Sequence, residues 1–185
     1  MSSGCGVNNG GKGMKWRITN RADPAAAAIA DRHYSRQSHG SRQFVPPGRC
    51  LVLVTKDYRA LWVTSWPLAQ YVGHAWAGAW TCSLFRNEGA GLSSELINQA
   101  VAATRWYCSF GPSSWTACPE PALGMITFVK PTAIRSSNPG YCYQRAGWRK
   151  VGHSKELNLP CLQILTSDMP APEQPGGTTM QLFRC

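Results

Sequence analysis

The chain has 185 residues, a formal net charge of +10 and 43% hydrophobic residues, which fits one domain with a hydrophobic core of its own. It contains no apolar run long enough to span a membrane and no signal peptide, so we expect no membrane association and a cytoplasmic protein. None of the eight cysteines has the paired spacing of a zinc ribbon, and we expect them to be reduced.

Both ends of the chain are predicted to be disordered. Residues 1–13 are rich in Gly, Ser and Asn, and a C-terminal tail over 168–185 contains most of the run SDMPAPEQPGG. Such compositions cannot bury enough apolar surface to order themselves. One folded domain over 14–167 remains.

Turn residues and apolar periodicity predict nine elements. WRITN is a strand, and Asp23 with Pro24 begins a short alanine-rich helix that ends near His33. CLVLVTK and YRALWVTSW form a hairpin, and AWTCSLFRNE is the next strand. There follow the helix LSSELINQAVAATRWY, the strand LGMITFVKP, the short helix YCYQRAGW and the final strand LPCLQILT. This order predicts an α/β (α+β) domain with a mixed central sheet flanked by helices.

Positive charge is concentrated early in the chain. Residues 12–59 contain ten Lys or Arg and three acids, which gives a net charge of +7. Such a bias favours an anionic partner, above all nucleic acid. A solvated basic face without a partner is the alternative.

A glycine-rich loop, Arg86-x-x-Gly89-x-Gly91, joins the strand AWTCSLFRNE to the following helix. Glycine permits positive φ and a close approach of the backbone to a ligand. The unpaired N–H groups at a helix N-terminus favour an anion such as pyrophosphate. A tight turn without a ligand is the alternative, and the dinucleotide spacing G-x-G-x-x-G is absent.

Together with the later segment YQRAGW, this loop resembles the GNAT acyltransferase superfamily over the chain from about Trp16 to Thr166. The resemblance implies a single-domain GNAT-like catalytic fold with acetyl-CoA as cofactor. Backbone N–H groups of the strand TCSLF would polarise the thioester carbonyl. The implied cofactor-binding residues are Phe85, Arg86, Asn87, Gly89, Ala90 and Gly91.

The same resemblance implies a general acid in the helix YCYQRAGW. Tyr143, which begins a Tyr-x-x-x-Gly-Trp segment, would protonate the departing CoA thiolate. Tyr141 is a rival for that role. A core tyrosine with a bonded hydroxyl is the structural alternative for Tyr143.

The stretches ADRHYSR and FVKPTAIRSSNPGYCYQRAGW resemble the Mom-type branch of the superfamily, phage proteins that modify adenine in DNA. The resemblance implies conversion of adenine in double-stranded DNA to N6-methylcarbamoyladenine, which protects phage DNA from restriction in the bacterial host. It makes His33 and Tyr34 catalytic residues and suggests iron, with His33 as a ligand. Lys130 stands where an acidic residue is expected after ITFV, and no two-His-one-carboxylate spacing occurs.

Adenine must leave the duplex stack before it reacts, and an extruded base is held by flat or apolar side chains. Of the eight tryptophans, Trp66 is the candidate for base stacking, while Trp62, Trp76 and Trp80 serve either stacking or the core. Phosphate contacts are expected from Arg32, Arg36, Arg42 and Arg49, for which plain solvation is the alternative.

Two other functions stay open. The first is a GNAT N-acetyltransferase that acts on a protein or small-molecule amine, against which the basic N-terminal half argues. The second is a non-catalytic DNA-binding protein whose glycine loop is vestigial.

Overall fold

A computed structural model describes residues 13–36, 38–66, 75–111, 120–134 and 136–176. The predicted disordered segment 1–13 lies outside the described residues apart from Gly13, and so do residues 177–185 of the predicted tail. Within the described ranges, no helix has the length and apolar character needed to cross a membrane.

Seven strands and three helices make up the described fold. The strands are β1 (Trp16–Thr19), β2 (Arg49–Thr55), β3 (Ala60–Trp66), β4 (Trp80–Asn87), β5 (Met125–Phe128), β6 (Arg149–His153) and β7 (Pro160–Ile164). The helices are α1 (Pro24–Ala30), α2 (Ser93–Phe110) and α3 (Tyr141–Arg145), with short 3₁₀ turns at Pro131–Ala133 and Thr166–Asp168. The prediction of a mixed α/β domain is confirmed.

The strands form one sheet in the order β1-β2-β3-β4-β5-β7-β6. Neighbouring strands are antiparallel except for β4 and β5, which are parallel. The ladder between β4 and β5 consists of two pairs, Trp80 with Met125 and Thr81 with Ile126. Beyond Thr81 the two strands separate, so the sheet is split at the end where both strands finish.

The two faces of the sheet carry separate core clusters. On one face, α2 and α3 cover a cluster that includes Trp16, Trp62 and Trp80, each at most 2% exposed. On the other face, Ile29 of α1 packs in a cluster with Leu61 and other strand residues. Alternation of side chains along the strands produces this division.

Helix α1 begins as predicted but ends earlier. The carboxylate of Asp23 accepts hydrogen bonds from the N–H groups of Ala25 and Ala26, which caps the helix. The helix stops at Ala30 and not near His33, because the carboxylate of Asp31 binds the Arg36 side chain and the N–H of Gly40. These contacts draw the following residues into turns.

Strand β6 was missed by the sequence prediction. Its sequence RKVGH is polar, contains a glycine and has no alternating apolar pattern. It lies at the edge of the sheet beside β7, where a strand does not need an apolar face toward a core.

The predicted boundary at residue 167 is also too early, because residues 168–176 pack onto the domain. Arg105 donates hydrogen bonds to the carbonyl groups of Met169 and Pro170, and Met169 is buried. The N–H of Gly176 donates to the carbonyl of Trp16. This Pro-rich segment is held by contacts with α2 and β1, which its composition does not reveal.

Candidate active site between two diverging strands

A cavity of about 640 Å³ opens where β4 and β5 separate. Its walls come from residues 33–35 after α1, residues 81–85 of β4, residues 127–129 at the end of β5 and residues 140–143 around α3, with Asn87 and Ser93 at one end. The fold thereby gathers six of the predicted site residues around one space: His33, Tyr34, Phe85, Asn87, Tyr141 and Tyr143.

Tyr143 lies in the wall of this cavity with its ring in the core. The ring makes edge contacts with Phe85 and Trp148, at centroid distances of 6.1 Å and 5.1 Å. The hydroxyl lies 3.5 Å from the sulfur of Cys82. Burial, and then the neighbouring Cys82, raise the pKa of Tyr143 well above its ordinary value, so the phenol keeps its proton at neutral pH. Tyr143 is thus both a packed tyrosine and a cavity residue.

Tyr141, the rival acid, begins α3 and is 54% exposed. It lines the cavity from the solvent side. A group in contact with water can exchange its proton freely, whereas Tyr143 is sheltered. The geometry favours Tyr143 as the residue that acts on a buried leaving group.

His33 is held in one tautomer by its neighbour Ser35. Its Nδ1 accepts a hydrogen bond from the Ser35 N–H at 3.2 Å and lies 2.7 Å from the Ser35 hydroxyl. A nitrogen that accepts from a backbone N–H carries no proton, so the proton is on Nε2. Burial, and then the charge of Arg86, lower the pKa of His33 to about 4. At neutral pH His33 is therefore a neutral hydrogen-bond donor and a weak base.

Tyr34 extends the site from α1 towards β5. Its ring lies on that of His33 with a centroid distance of 4.2 Å. Burial raises the pKa of Tyr34, and the nearby backbone of Lys130, just after β5, lowers it by less. Tyr34 lines the cavity and is 38% exposed.

The glycine loop is organised by Asn87. The side-chain oxygen of Asn87 accepts from the N–H groups of Gly89 and Ala90, and its nitrogen donates to the carbonyl of Gly91 and the hydroxyl of Ser93. Gly89 and Gly91 have φ values of 91° and 153°, which disfavour other residues. The N-cap residue of α2 is Leu92, whose side chain cannot accept a hydrogen bond from the first turn, and N–H groups at such a helix start can receive an anion.

Two cations that the sequence analysis missed lie against this loop. Lys15 donates to the carbonyl of Ala90 at 2.8 Å. Arg59 donates to the carbonyl of Glu88, and a Cβ on Gly89 would lie 2.5 Å from its guanidinium. Both are far from the loop in sequence; pairing of Ala60 with Asn87 brings Arg59 to it.

Arg86, the predicted pyrophosphate ligand, is bound by other groups of the protein. Its guanidinium forms an ion pair with Glu88 at 2.6 Å and donates to the carbonyl of Arg32. The side chain therefore ties the end of β4 to the turn that carries His33. Lys15 and Arg59 replace it as the nearest charges on the glycine loop.

The five predicted nucleic-acid-binding residues are not gathered at the cavity. Arg36 is 7% exposed in an ion pair with Asp31 and donates to two backbone carbonyls, so we revise its expected phosphate contact to a structural one. Arg32 forms a two-pronged pair with Glu88. Arg42 and Arg49 are exposed but are not part of the cavity wall.

Trp66 and the other candidate stacking residues serve the core in the described structure. Trp66 packs edge-on against Trp80 at 5.9 Å and is not among the cavity residues. Trp62 and Trp80 are buried, and Trp76 lies against Phe128. Tyr34, which lines the cavity and is partly exposed, is an aromatic side chain with access to both the cavity and solvent.

The donor set for an iron ion is not assembled by the described residues. No group of three His, Cys, Asp or Glu side chains in the described ranges is arranged to hold a metal. Nδ1 of His33 is already occupied by Ser35, and His74 lies outside the described ranges. We therefore derive no step through a metal.

Comparison with known proteins assigns no role to any residue of this chain. A scan of protein-family models, a search of curated proteins and a search of solved structures each returned no match to this chain. Any role for these residues has to be argued from the cavity, from the charges around it and from the sequence motifs.

Proposed function

We propose that this protein is a GNAT-type acyltransferase that uses a CoA thioester to modify adenine in double-stranded DNA, like the Mom-type proteins that it resembles. The observation that carries the proposal is the cavity between β4 and β5. Its walls combine residues of the glycine loop and of the start of α2 with His33 and Tyr34, and the cation Lys15 donates to that loop. Such a space fits a long anionic cofactor on one side and a flat acceptor on the other.

The cofactor side is formed by β4 and the start of α2. The ammonium of Lys15 and the guanidinium of Arg59 lie at the glycine loop, where they would attract the phosphates together with the first N–H groups of α2. Beyond Thr81, β4 has no ladder partner in β5, so its edge is open to an extended chain. A bound CoA thioester would supply an activated acyl group and a thiol leaving group.

Tyr143 is the proposed proton donor. Its raised pKa keeps the hydroxyl protonated, and Cys82, its partner, is a weak hydrogen-bonding group. Negative charge that develops on a leaving sulfur would be a better acceptor than the Cys82 thiol. In the net reaction the amine nitrogen replaces sulfur at the acyl carbon and loses one proton, while the thiol leaves with one proton.

His33 and Tyr34 form the proposed acceptor side. The Nε2–H of neutral His33 can donate to a ring nitrogen of adenine, and the exposed part of Tyr34 can stack on an extruded base. A weakly basic His33 suits this role better than that of a general base. The methylcarbamoyl product contains a nitrogen that an acetyl group lacks, so we assign acyl transfer to this site and the additional nitrogen to a separate reaction.

Mass spectrometry of nucleosides from the DNA of expressing cells tests the proposal. A modified deoxyadenosine in wild-type cells supports it. Unmodified DNA with turnover of acetyl-CoA on another amine points to an N-acetyltransferase, and unmodified DNA without turnover points to a binding protein. Either of the last two results overturns the proposal.

Two tyrosine variants test the proposed proton donor. Tyr143→Phe should lower modification by about 10²-fold or more, as expected for loss of general acid catalysis. The matched variant Tyr141→Phe should change it by less than about threefold, because Tyr141 is the exposed tyrosine. Equal losses in both variants would contradict the assignment.

A further inference from the structure

The hairpin of β6 and β7 presents a turn of defined shape at the opening of the cavity. The N–H of Ser154 donates to the carbonyl of Leu159, and the N–H of Leu159 donates to the Ser154 hydroxyl. Leu159 lines the cavity, and the N–H of Val129 donates to the carbonyl of Pro160. The turn therefore lies on the β5 side of the cavity, whereas the glycine loop lies on the β4 side.

Leu157 projects from this turn. It is 73% exposed, the largest value among the large hydrophobic residues of the described ranges. Single exposed leucines are common on protein surfaces. This one is notable for its position, because it stands on a hydrogen-bonded turn, two residues from a cavity wall, with Lys155 beside it.

The segment that contains the turn is rich in cations. Segment 130–159 contains six Lys or Arg and one acid, a net charge of +5. Five of these cations are described, and all five are exposed: Lys130, Arg145, Arg149, Lys150 and Lys155. Within the described ranges no ion pair holds any of them. Lys150 donates to Asn138, itself a cavity residue. We name Lys130, Lys150, Lys155 and Leu157 the hairpin surface.

We propose that the hairpin surface is the DNA-contacting face of the protein and that Leu157 is a wedge that enters the duplex when adenine leaves the stack. This inference rests on the proposed function. Extrusion of a base costs a few kcal/mol of stacking and pairing, and apolar side chains that insert between base steps offset this cost in other DNA-binding proteins. The flanking lysines would hold the phosphates on either side of the opened step.

The charge of the surface favours DNA over a second copy of the chain. A self-association would place two sets of unpaired lysines against each other, which is unfavourable. A polyanion neutralises them and releases its counterions. The wedge and the lysines together therefore fit a duplex.

A fluorescent adenine analogue measures the proposed step directly. We would place 2-aminopurine at the adenine position in duplexes that cover every combination of neighbouring bases, because this analogue brightens when it leaves the stack. Wild-type protein should raise its fluorescence in a preferred duplex. Leu157→Ala should lower the extruded fraction by about tenfold and keep the salt dependence of DNA affinity, because no charge is removed. Leu157→Met should restore extrusion.

A matched variant and a second substrate separate the wedge from other effects. Leu165→Ala removes another exposed leucine, 42% exposed, from the far end of β7 and should extrude like the wild type. If the wild type modifies DNA, Leu157→Ala should modify single-stranded DNA normally and duplex DNA about tenfold more slowly.

The outcomes distinguish the two proposals. Equal extrusion by the wild type and Leu157→Ala overturns the wedge, whether or not DNA is modified. Loss of extrusion only in Leu157→Ala supports the wedge, even if no adenine is modified and the proposed function fails. Absence of extrusion by the wild type overturns the wedge as well.

Discussion

The two basic segments of this chain differ in what their cations contact. At least six of the ten Lys and Arg residues in segment 12–59 are held by other groups of the protein: Lys15, Arg17, Arg21, Arg32, Arg36 and Arg59. The partners are carboxylates, backbone carbonyls and one tyrosine ring. In segment 130–159 the five described cations are exposed, and no ion pair among the described residues holds them, although Lys150 donates a hydrogen bond to Asn138.

This difference separates two uses of positive charge. Segment 12–59 has the larger net charge, +7 against +5, yet many of its cations join loops to strands. A cation in an internal ion pair, such as Arg32 or Arg36, must give up its carboxylate before it can bind a phosphate, which makes the exchange costly. Lys15 and Arg59 donate to backbone carbonyls of the glycine loop instead, and their further donors can serve the cofactor phosphates. Net charge along the sequence therefore favours segment 12–59 as the nucleic-acid surface, whereas the exposure of its cations favours segment 130–159.

The largest effect is expected from the exposed cations. Replacement of Lys130, Lys150 and Lys155 by Gln should weaken DNA binding by about a hundredfold near 0.1 M salt. It should also lower the slope of log K against log salt by about 2.7, since each phosphate contact contributes about 0.9. Fluorescence anisotropy of a labelled duplex at several salt concentrations measures both quantities.

A triple variant in segment 12–59 is the matched control, because its DNA affinity can be compared with that of the variant in segment 130–159. Arg42, Arg49 and Lys56 are also exposed, and their replacement by Gln removes the same charge. We expect a loss of affinity of about threefold, from the change in the overall field alone. If the variant in segment 12–59 lost more DNA affinity than the variant in segment 130–159, the nucleic-acid surface would lie in segment 12–59.

A smaller effect, on stability, is expected within segment 12–59. Arg36→Gln removes the ion pair with Asp31 and the hydrogen bonds that the guanidinium donates to the carbonyl groups of Ser41 and Gln43, of which the Gln43 carbonyl keeps the Ser41 hydroxyl as a donor. We expect the melting temperature to fall by about 5 °C, with unchanged DNA affinity per folded molecule. Thermal unfolding and anisotropy on one preparation measure both.

Arg42→Gln is the control for that variant, because Arg42 lies in the same segment and is exposed. It should melt within about 1 °C of the wild type. A normal melting temperature combined with weaker DNA binding in Arg36→Gln would show that the internal ion pair is broken when DNA binds.

Most of the fold could be predicted because its strands and helices carry strong local signals. The apolar runs of β2 and β7 and the capping residue Asp23 each specify their element within a few residues. Strand β6 and segment 168–176 lack such signals. Strand β6 is held in place by its pairing with β7, and segment 168–176 by contacts such as the hydrogen bond from Arg105. Contacts of this kind cannot be read from local composition.

The candidate site was predictable in its residues and less so in its geometry. Motifs pointed to His33, Tyr34, Asn87 and Tyr143, and the fold gathers all four at one cavity. The cavity itself arises from the short ladder between β4 and β5, which no spacing in the sequence reveals. For the same reason the sequence assigned the loop charge to Arg86, although strand pairing brings Arg59 there instead.

An internally bound cation also changes the pKa of its neighbours, as Arg86 does for His33. Burial, and then the charge of Arg86, lower its pKa from 6.5 to about 4. The unfolded chain therefore takes up a proton first as the pH falls. Above pH 6.5 His33 is neutral in both states and contributes nothing to the pH dependence. Between pH 6.5 and 4 the free energy of unfolding falls, because protonation favours the unfolded state.

His33→Asn removes this contribution. Between pH 7 and 4 the wild type should lose about 1 kcal/mol more stability than the variant, since solvent screens part of the effect. Urea unfolding at several pH values measures the difference. NMR titration of the His33 ring gives its pKa directly, and Arg86→Gln should raise that pKa, because one of the two causes of the shift is removed. A wild-type ring that titrates at its ordinary value would mean that His33 is charged in mildly acidic solution. Its Nδ1 would then carry a proton and could not accept from the N–H of Ser35, which contradicts the neutral tautomer assigned to His33 there.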